Sequence, residues 1–220
     1  MTAEGSRSAD KANSERNELW EWTKAILIAI GLAVVIRMFL FEPYFVSGQS
    51  MEPNLESGEG LIVNKVIYKM REPERGEILV FHAPLGRDYI KRVIGVPGDT
   101  VEVRDDTLYV NGKKIAEPYI EKAKKQYREE EQKNSSGQTG RENTESNNND
   151  ELQETGGGVH YTENIGPISV PKGELFVLGD NRPGSEDSRA IGTIPLDKVV
   201  GRAEVVLWPL PQFRMLGDGS

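Results

Sequence analysis

The chain has 220 residues, 37% of them hydrophobic, and a formal net charge of −8, enough for one folded domain plus a membrane segment but not for two large domains. The acidic balance excludes a nucleic-acid partner, because neutralising phosphates needs clustered Lys and Arg. There is no cysteine, which excludes disulfides, thiolate nucleophiles and Cys-ligated metals; His82 and His160 are too far apart in sequence to suggest a metal site, and no cofactor is expected.

In chain order, residues 1–19 read as a short cytoplasmic tail. The long apolar run "AILIAIGLAVVIRMFLF" at residues 25–41 covers about 25 Å as a helix, and Trp20 and Trp22 add interface-seeking rings. The prediction is one transmembrane helix over 20–41, with Arg37 near its outer end where the long stem reaches the headgroups. A cleaved secretory signal is the competing reading, but the following "FEPYFV" lacks a small-x-small cleavage site. Arg7, Lys11, Arg16 and Lys24 precede the apolar run, and no Lys or Arg occurs between Glu42 and Asn64. This asymmetry predicts a single-pass protein of the cell membrane, N-terminus cytoplasmic, with residues 42–220 extracytoplasmic.

The outer portion reads as antiparallel β structure. "GLIVNKVIY", "GEILVFHAP", "DYIKRVIGV", "DTVEVRDDTLYVNGKKI" and "GELFVLGDN" are short β-branched or alternating runs bounded by Gly, Pro, Asn and Asp. Asn111-Gly112 suits a hairpin turn with positive φ at both central residues. Residues 121–158 break the pattern. Ala123, Tyr127 and Leu152 are their only apolar side chains, too few to offset ordering entropy, so this segment is expected to be a flexible insertion, helical at most at its charged start. The Pro- and Gly-broken tail after Trp208 predicts no element.

Within "FVSGQSMEPNL" at residues 45–55, Ser50 sits between Gly48-Gln49 and Met51-Glu52-Pro53, where the backbone turns sharply and leaves a hydroxyl accessible. A hydroxyl nucleophile needs a base, and neither histidine has a triad-like context. A desolvated lysine serves equally, because burial disfavours the ammonium. In "DYIKRVIG", strand alternation puts Lys91 on one face with Tyr89 and Val93, neighbours able to strip water from it; the competing reading is a solvated charge at a strand edge.

Four segments in order, "SGQSMEPNL", "RGEILVF", "YIKRVIGVPGDTVEV" and "GDNRPGSEDSRAIGTIP", resemble the successive boxes of bacterial type I signal peptidases, the Ser/Lys-dyad leader peptidases, in their Gram-positive-like branch. The resemblance implies Ser50 as nucleophile and Lys91 as general base. It implies that Ser185 orients the lysine by hydrogen bond, that Asp187 and Arg189 hold the loop against the lysine strand, and that Gly179, Asp180 and Asn181 form the turn that starts this loop. Two positions depart from the family pattern. Gly48 stands where some members carry a serine that helps hold the oxyanion, and Asn54 stands where threonine is common, with local bonding to the turn expected of it.

The resemblance implies a largely β catalytic domain with an apolar surface on the membrane. The implied function is a membrane-anchored serine endopeptidase, a hydrolase of protein secretion that removes signal peptides with Ala-x-Ala-type sites. Its partners would be preproteins, the lipid bilayer and, by proximity, the translocation machinery. An extended substrate could add to a strand edge. The alternative is a non-enzymatic, membrane-anchored β module that binds extracytoplasmic polypeptides. Self-cleaving repressor proteases, which use a related Ser-Lys pair, conflict with the apolar anchor and the acidic charge.

Overall fold

A computed structural model describes residues 20–35, 40–138 and 159–217. The chain divides into two units, Met1–Glu42 and Pro43–Ser220. In the first, residues 20–35 form helix α1. Among the described residues no helix is long and apolar enough to cross a membrane, so the predicted span over 20–41 has only α1 as its structural counterpart. Arg37, Arg7, Lys11 and Arg16 lie outside the described residues. The helical prediction fails at its outer end, because strand β1 already occupies Phe41–Phe45. Pro43 explains this: it lacks a backbone donor and steers Glu42 away from helical torsions.

The second unit is mainly antiparallel β, as predicted. An eight-stranded sheet has the order β1-β2-β11-β3-β4-β9-β10, with β12 added to β11. Its members are β2 (Gly60–Asn64), β3 (Ile78–Ala83), β4 (Arg87–Gly95), β9 (Glu174–Leu178), β10 (Ile194–Pro195), β11 (Val199–Trp208) and β12 (Arg214–Met215). A four-stranded sheet has the order β7-β6-β5-β8, from β5 (Thr100–Arg104), β6 (Thr107–Val110), β7 (Lys113–Ile115) and β8 (Ile165–Ser169). The β6–β7 hairpin turns at Asn111-Gly112, with φ of 53° and 74°, as its sequence predicts. β8, β10, β11 and β12 were not foreseen, β12 lying in the tail after Trp208 where no element was expected. β8 has Gly166 and Pro167, and β11 has Gly201, Arg202 and Glu204 and is bulged against both neighbours, so neither shows clean alternation. The "VIY" end of the first predicted strand instead starts helix α2 (Ile67–Met70), where the Asn64 side chain accepts the Val66 and Ile67 N–H groups.

Three apolar clusters fix the framework. Val46, Met51, Leu55, Leu61, Ile78, Ala203 and Val206 pack beneath the Ser50 turn. Leu79, Phe81, Val93, Leu175 and Val177 fill the centre of the large sheet, and Ile94, Val101, Val110, Phe176 and Leu178 join the two sheets. At about 25 cal/mol per Å2 of apolar surface, each buried side chain contributes on the order of 2 kcal/mol. The expected helical start of the insertion is present as α3 (Glu121–Gln138). Its first turns are more than solvated surface: Lys124 is buried, and Tyr127 packs edge-on against Tyr161.

Candidate active site

Ser50 lies on a turn pinned from both sides by apolar anchors. Met51 and Leu55 are buried, and the turn closes on itself through Glu52 N–H to Gln49 O (3.1 Å) and Leu55 N–H to Met51 O (2.9 Å). Gly48 has φ of +96°, a left-handed conformation costly for a side-chain-bearing residue. The backbone itself thus disfavours a serine at this position.

Lys91 is 3% exposed and lies on β4 opposite Leu79 of β3. β9 pairs with β4 from Arg92 to Gly95, so the Asp88–Lys91 half of that edge lines a cleft instead. Lys91 Nζ is 2.7 Å from Ser50 Oγ and also donates to Ile90 O at 3.1 Å. The Tyr89 ring lies 5.1 Å from Nζ, on the face that alternation assigned to it. Burial pushes the Lys91 ammonium down to about 8, against the opposing pull of Asp187, Asp180 and Glu186. The solvated strand-edge reading of this lysine is excluded by its burial.

The loop after β9 completes the site. Asp187 is fully buried. It caps helix α4 (Ser188–Ile191), accepts Gly179 N–H at 3.0 Å, and pairs with Arg189 at 2.8 Å. Arg189 Nη2 also donates to Arg182 O (2.6 Å) and Ser185 O (3.3 Å), tying the loop to itself. A Cβ on Gly179 would collide with Ser185 Oγ and with Ser50 O, so only glycine lets the loop approach the Ser50 turn this closely. Ser185 Oγ is buried and has no hydrogen-bond partner. The implied Ser185–Lys91 hydrogen bond is therefore absent here; Nζ contacts Ser50 Oγ and Ile90 O.

Three residues make contacts that were not foreseen. Asn181 donates its backbone N–H to Ser50 O (3.1 Å) and its side-chain Nδ2 to Gln49 O (3.1 Å), clamping the Ser50 turn across 132 residues of sequence. Tyr89 OH donates to Glu186 Oε2 at 2.7 Å across the cleft rim. Asn54 reaches beyond its own turn to Tyr119 O and Asp180 Oδ2, both at 2.9 Å, which corrects the expectation of local bonding. Asp180 is in turn held bidentately by buried Arg92, at 2.9 and 2.7 Å. Side-chain reach across strands carries no periodicity, so sequence patterning cannot announce such pairs. Among the described residues no group of three or more His, Cys, Asp or Glu could hold a metal ion. The cleft, about 470 Å3, is bordered by Phe45–Met51 on one side and Asp88–Lys91 on the other.

Comparison with known proteins bears on this arrangement. The family described as "Signal peptidase, peptidase S26" matches residues 19–208. The chain is 42% identical over 217 residues to a signal peptidase I of Bacillus amyloliquefaciens and to signal peptidase I T of Bacillus subtilis, covering 97% of this chain and 98% of each relative. It is 40% identical to signal peptidase IB of Staphylococcus aureus, over 90% of this chain and 94% of that one. A solved signal peptidase I from Enterococcus faecalis is 33% identical, with a TM-score of 0.41, over 60% of this chain and 97% of that one. A family match across most of the chain, and relatives of this identity along nearly their whole length, place it: the chain belongs to the signal peptidases of peptidase family S26.

Proposed function

We propose that this chain cuts signal peptides from exported preproteins, with Ser50 as nucleophile and Lys91 as general base. The observation that carries this reading is the 2.7 Å contact between Ser50 Oγ and a buried Lys91 Nζ whose ammonium is destabilised. Neutral Lys91 accepts the Ser50 proton as Oγ attacks the scissile carbonyl carbon, and the Ser50 backbone N–H receives the forming oxyanion. The Lys91 ammonium then protonates the leaving amine as the C–N bond breaks. In the second half-reaction Lys91 takes a proton from water, the hydroxide opens the Ser50 ester, and the proton returns to Oγ. Asp187 and Arg189 hold the loop that backs this pair, and Ser185 completes its packing.

The substrate is assigned to the open Asp88–Lys91 edge of β4, which an extended peptide extends by main-chain hydrogen bonds while small Ala-x-Ala side chains enter the cleft. In the same proposal residues 1–19 are a cytoplasmic tail, a membrane anchor begins at residue 20 and ends before β1, the chain from 42 to 220 with its insertion at 121–158 is extracytoplasmic, and the protein is a single-pass protein of the cell membrane near the translocation machinery. Supporting lipid contact, Phe45, Leu207, Trp208, Leu210, Phe213 and Met215 are all exposed, and Phe45 and Trp208 both approach Gly60. Exposed apolar residues gathered this way mark an interaction surface. The test is cleavage of a preprotein by purified chain in detergent, with N-terminal sequencing of the product. Wild type should release the mature chain and Ser50→Ala should not; processing by Ser50→Ala at the wild-type rate would refute the assignment, and absence of cleavage by wild type would favour a binding module.

A further inference from the structure

Segments on both sides of the insertion converge on the loop that grips the nucleophile turn. Glu117, Lys124 and Arg182 are all buried, at 3, 6 and 1% exposure. Arg182 Nη2 donates to Glu117 Oε1 at 2.5 Å, and Lys124 Nζ donates to Glu117 Oε2 at 3.1 Å and to Asp106 O at 2.8 Å. From beyond the insertion, Thr162 Oγ1 accepts from Arg182 Nη1 at 3.2 Å, and Tyr161 OH donates to Asp180 O at 2.8 Å. The Asp106 carboxylate gathers Tyr161 N–H, Thr162 N–H and Arg128 Nη2. Arg182 Nε then donates to Gly179 O at 2.9 Å, one residue from Asp180 and two from Asn181, whose backbone and side chain hold Ser50 O and Gln49 O.

Three buried charges in one network are a poor route to stability, since desolvation offsets most of the attraction and apolar replacements serve as well. What such a network supplies is direction: every donor of the Arg182 guanidinium fork named above has a fixed acceptor. We propose that Glu117 and Lys124 are positioning residues for cleavage, which act through Arg182 to fix the 179–182 turn and, through Asn181, the direction in which Ser50 presents its hydroxyl to Lys91. The proposal rests on the Ser50–Lys91 reading above. It makes the start of α3 part of the catalytic scaffold, although composition alone assigns it to the insertion.

The experiment is steady-state cleavage of a preprotein by full-length Glu117→Gln beside wild type, each normalised to folded protein by circular dichroism. Gln keeps one acceptor for Arg182 but removes the carboxylate that two cations share. The expected result is kcat reduced about tenfold or more with KM within about twofold, because misaiming the nucleophile harms the reacting geometry rather than peptide binding. Unchanged kcat per folded molecule overturns the proposal. Should Glu117→Gln fail to fold, Glu117→Gln/Lys124→Met, which removes the unpaired ammonium as well, is read by the same criteria; failure of both to fold assigns the network to stability alone and also overturns it. Absence of cleavage by wild type would count against the proposed function itself, a result distinct from either outcome.

Discussion

Lys91 works against the fold that holds it. Below about pH 8 both folded and unfolded chains carry the ammonium, and its burial counts against folding in full. Between about 8 and the ordinary 10.5 the folded state alone has lost the proton, so this lysine makes stability rise with pH across that window. At about 1.36 kcal/mol per pH unit the penalty at neutral pH is roughly 3 kcal/mol. Lys91→Met is therefore expected to be inactive yet about 1–3 kcal/mol more stable than wild type in urea titration at pH 7, and a less stable variant would contradict this. In the proposed mechanism the neutral amine is the working form, so kcat/KM should rise with pH through about 8 and fall roughly tenfold per unit below it. Lys91→Arg keeps the charge but stays protonated at every workable pH. Cleavage by the folded arginine variant, followed from about pH 6 to 10, should stay at background; near-normal turnover would place the base elsewhere.

At the scale of elements, β4 divides its labour along its length. From Arg92 to Gly95 it is a ladder strand against β9, and from Asp88 to Lys91 it borders the cleft. The turn at Ser50 and the loop at 179–189 are held by unlike means, the one by Met51 and Leu55 in an apolar cluster, the other by Asp187 and Arg189. Asp187→Asn removes the charge that pairs with the half-buried Arg189 while keeping an acceptor for Gly179 N–H; loss of a charge-assisted hydrogen bond of this kind costs about 1.5–3 kcal/mol. Thermal unfolding should show the loss, and an unchanged Tm would disprove the role. In the insertion, residues 139–158 contain one aliphatic side chain, Leu152. Replacing 139–158 by a Gly/Ser linker of equal length should leave kcat/KM within about twofold, because loops of this composition contribute little to a core. A complete loss of cleavage by the folded variant would show that this segment acts in the reaction.

At the scale of the whole molecule, the exposed apolar set and the cleft lie in the same compact unit: Phe45 borders the cleft and also belongs to that set. The triple substitution Trp208→Ser, Leu210→Ser and Phe213→Ser is expected to retain cleavage in detergent and to lose most activity on a preprotein presented in phospholipid vesicles. Burying three such side chains in lipid contributes several kcal/mol, about 2 each. Equal activity of the variant in both settings would remove the rim from the membrane-contact reading.

The sequence by itself determined the antiparallel β class, the Asn111-Gly112 hairpin, the turn at Ser50 and the face of Lys91. Each follows from local physics: alternation sets which side chains share a face, and glycine and asparagine set where φ turns positive. The four boxes in order pointed to the family, and the comparisons bear that out. Only the tertiary structure decided that β11, broken by Gly201, Arg202 and Glu204, lies between β2 and β3 in the large sheet, that Asn181 clamps a turn 132 residues away, that Ser185 leaves its hydroxyl unpartnered, and that Lys124 is drawn from a charged helix into a buried network. Hydrogen bonds and ion pairs between distant segments depend on where two backbones cross, and the chain carries no periodic signal for that crossing. Whether a lysine is a solvated charge or a buried amine of lowered pKa is thus settled by the burial around it, which folding alone creates.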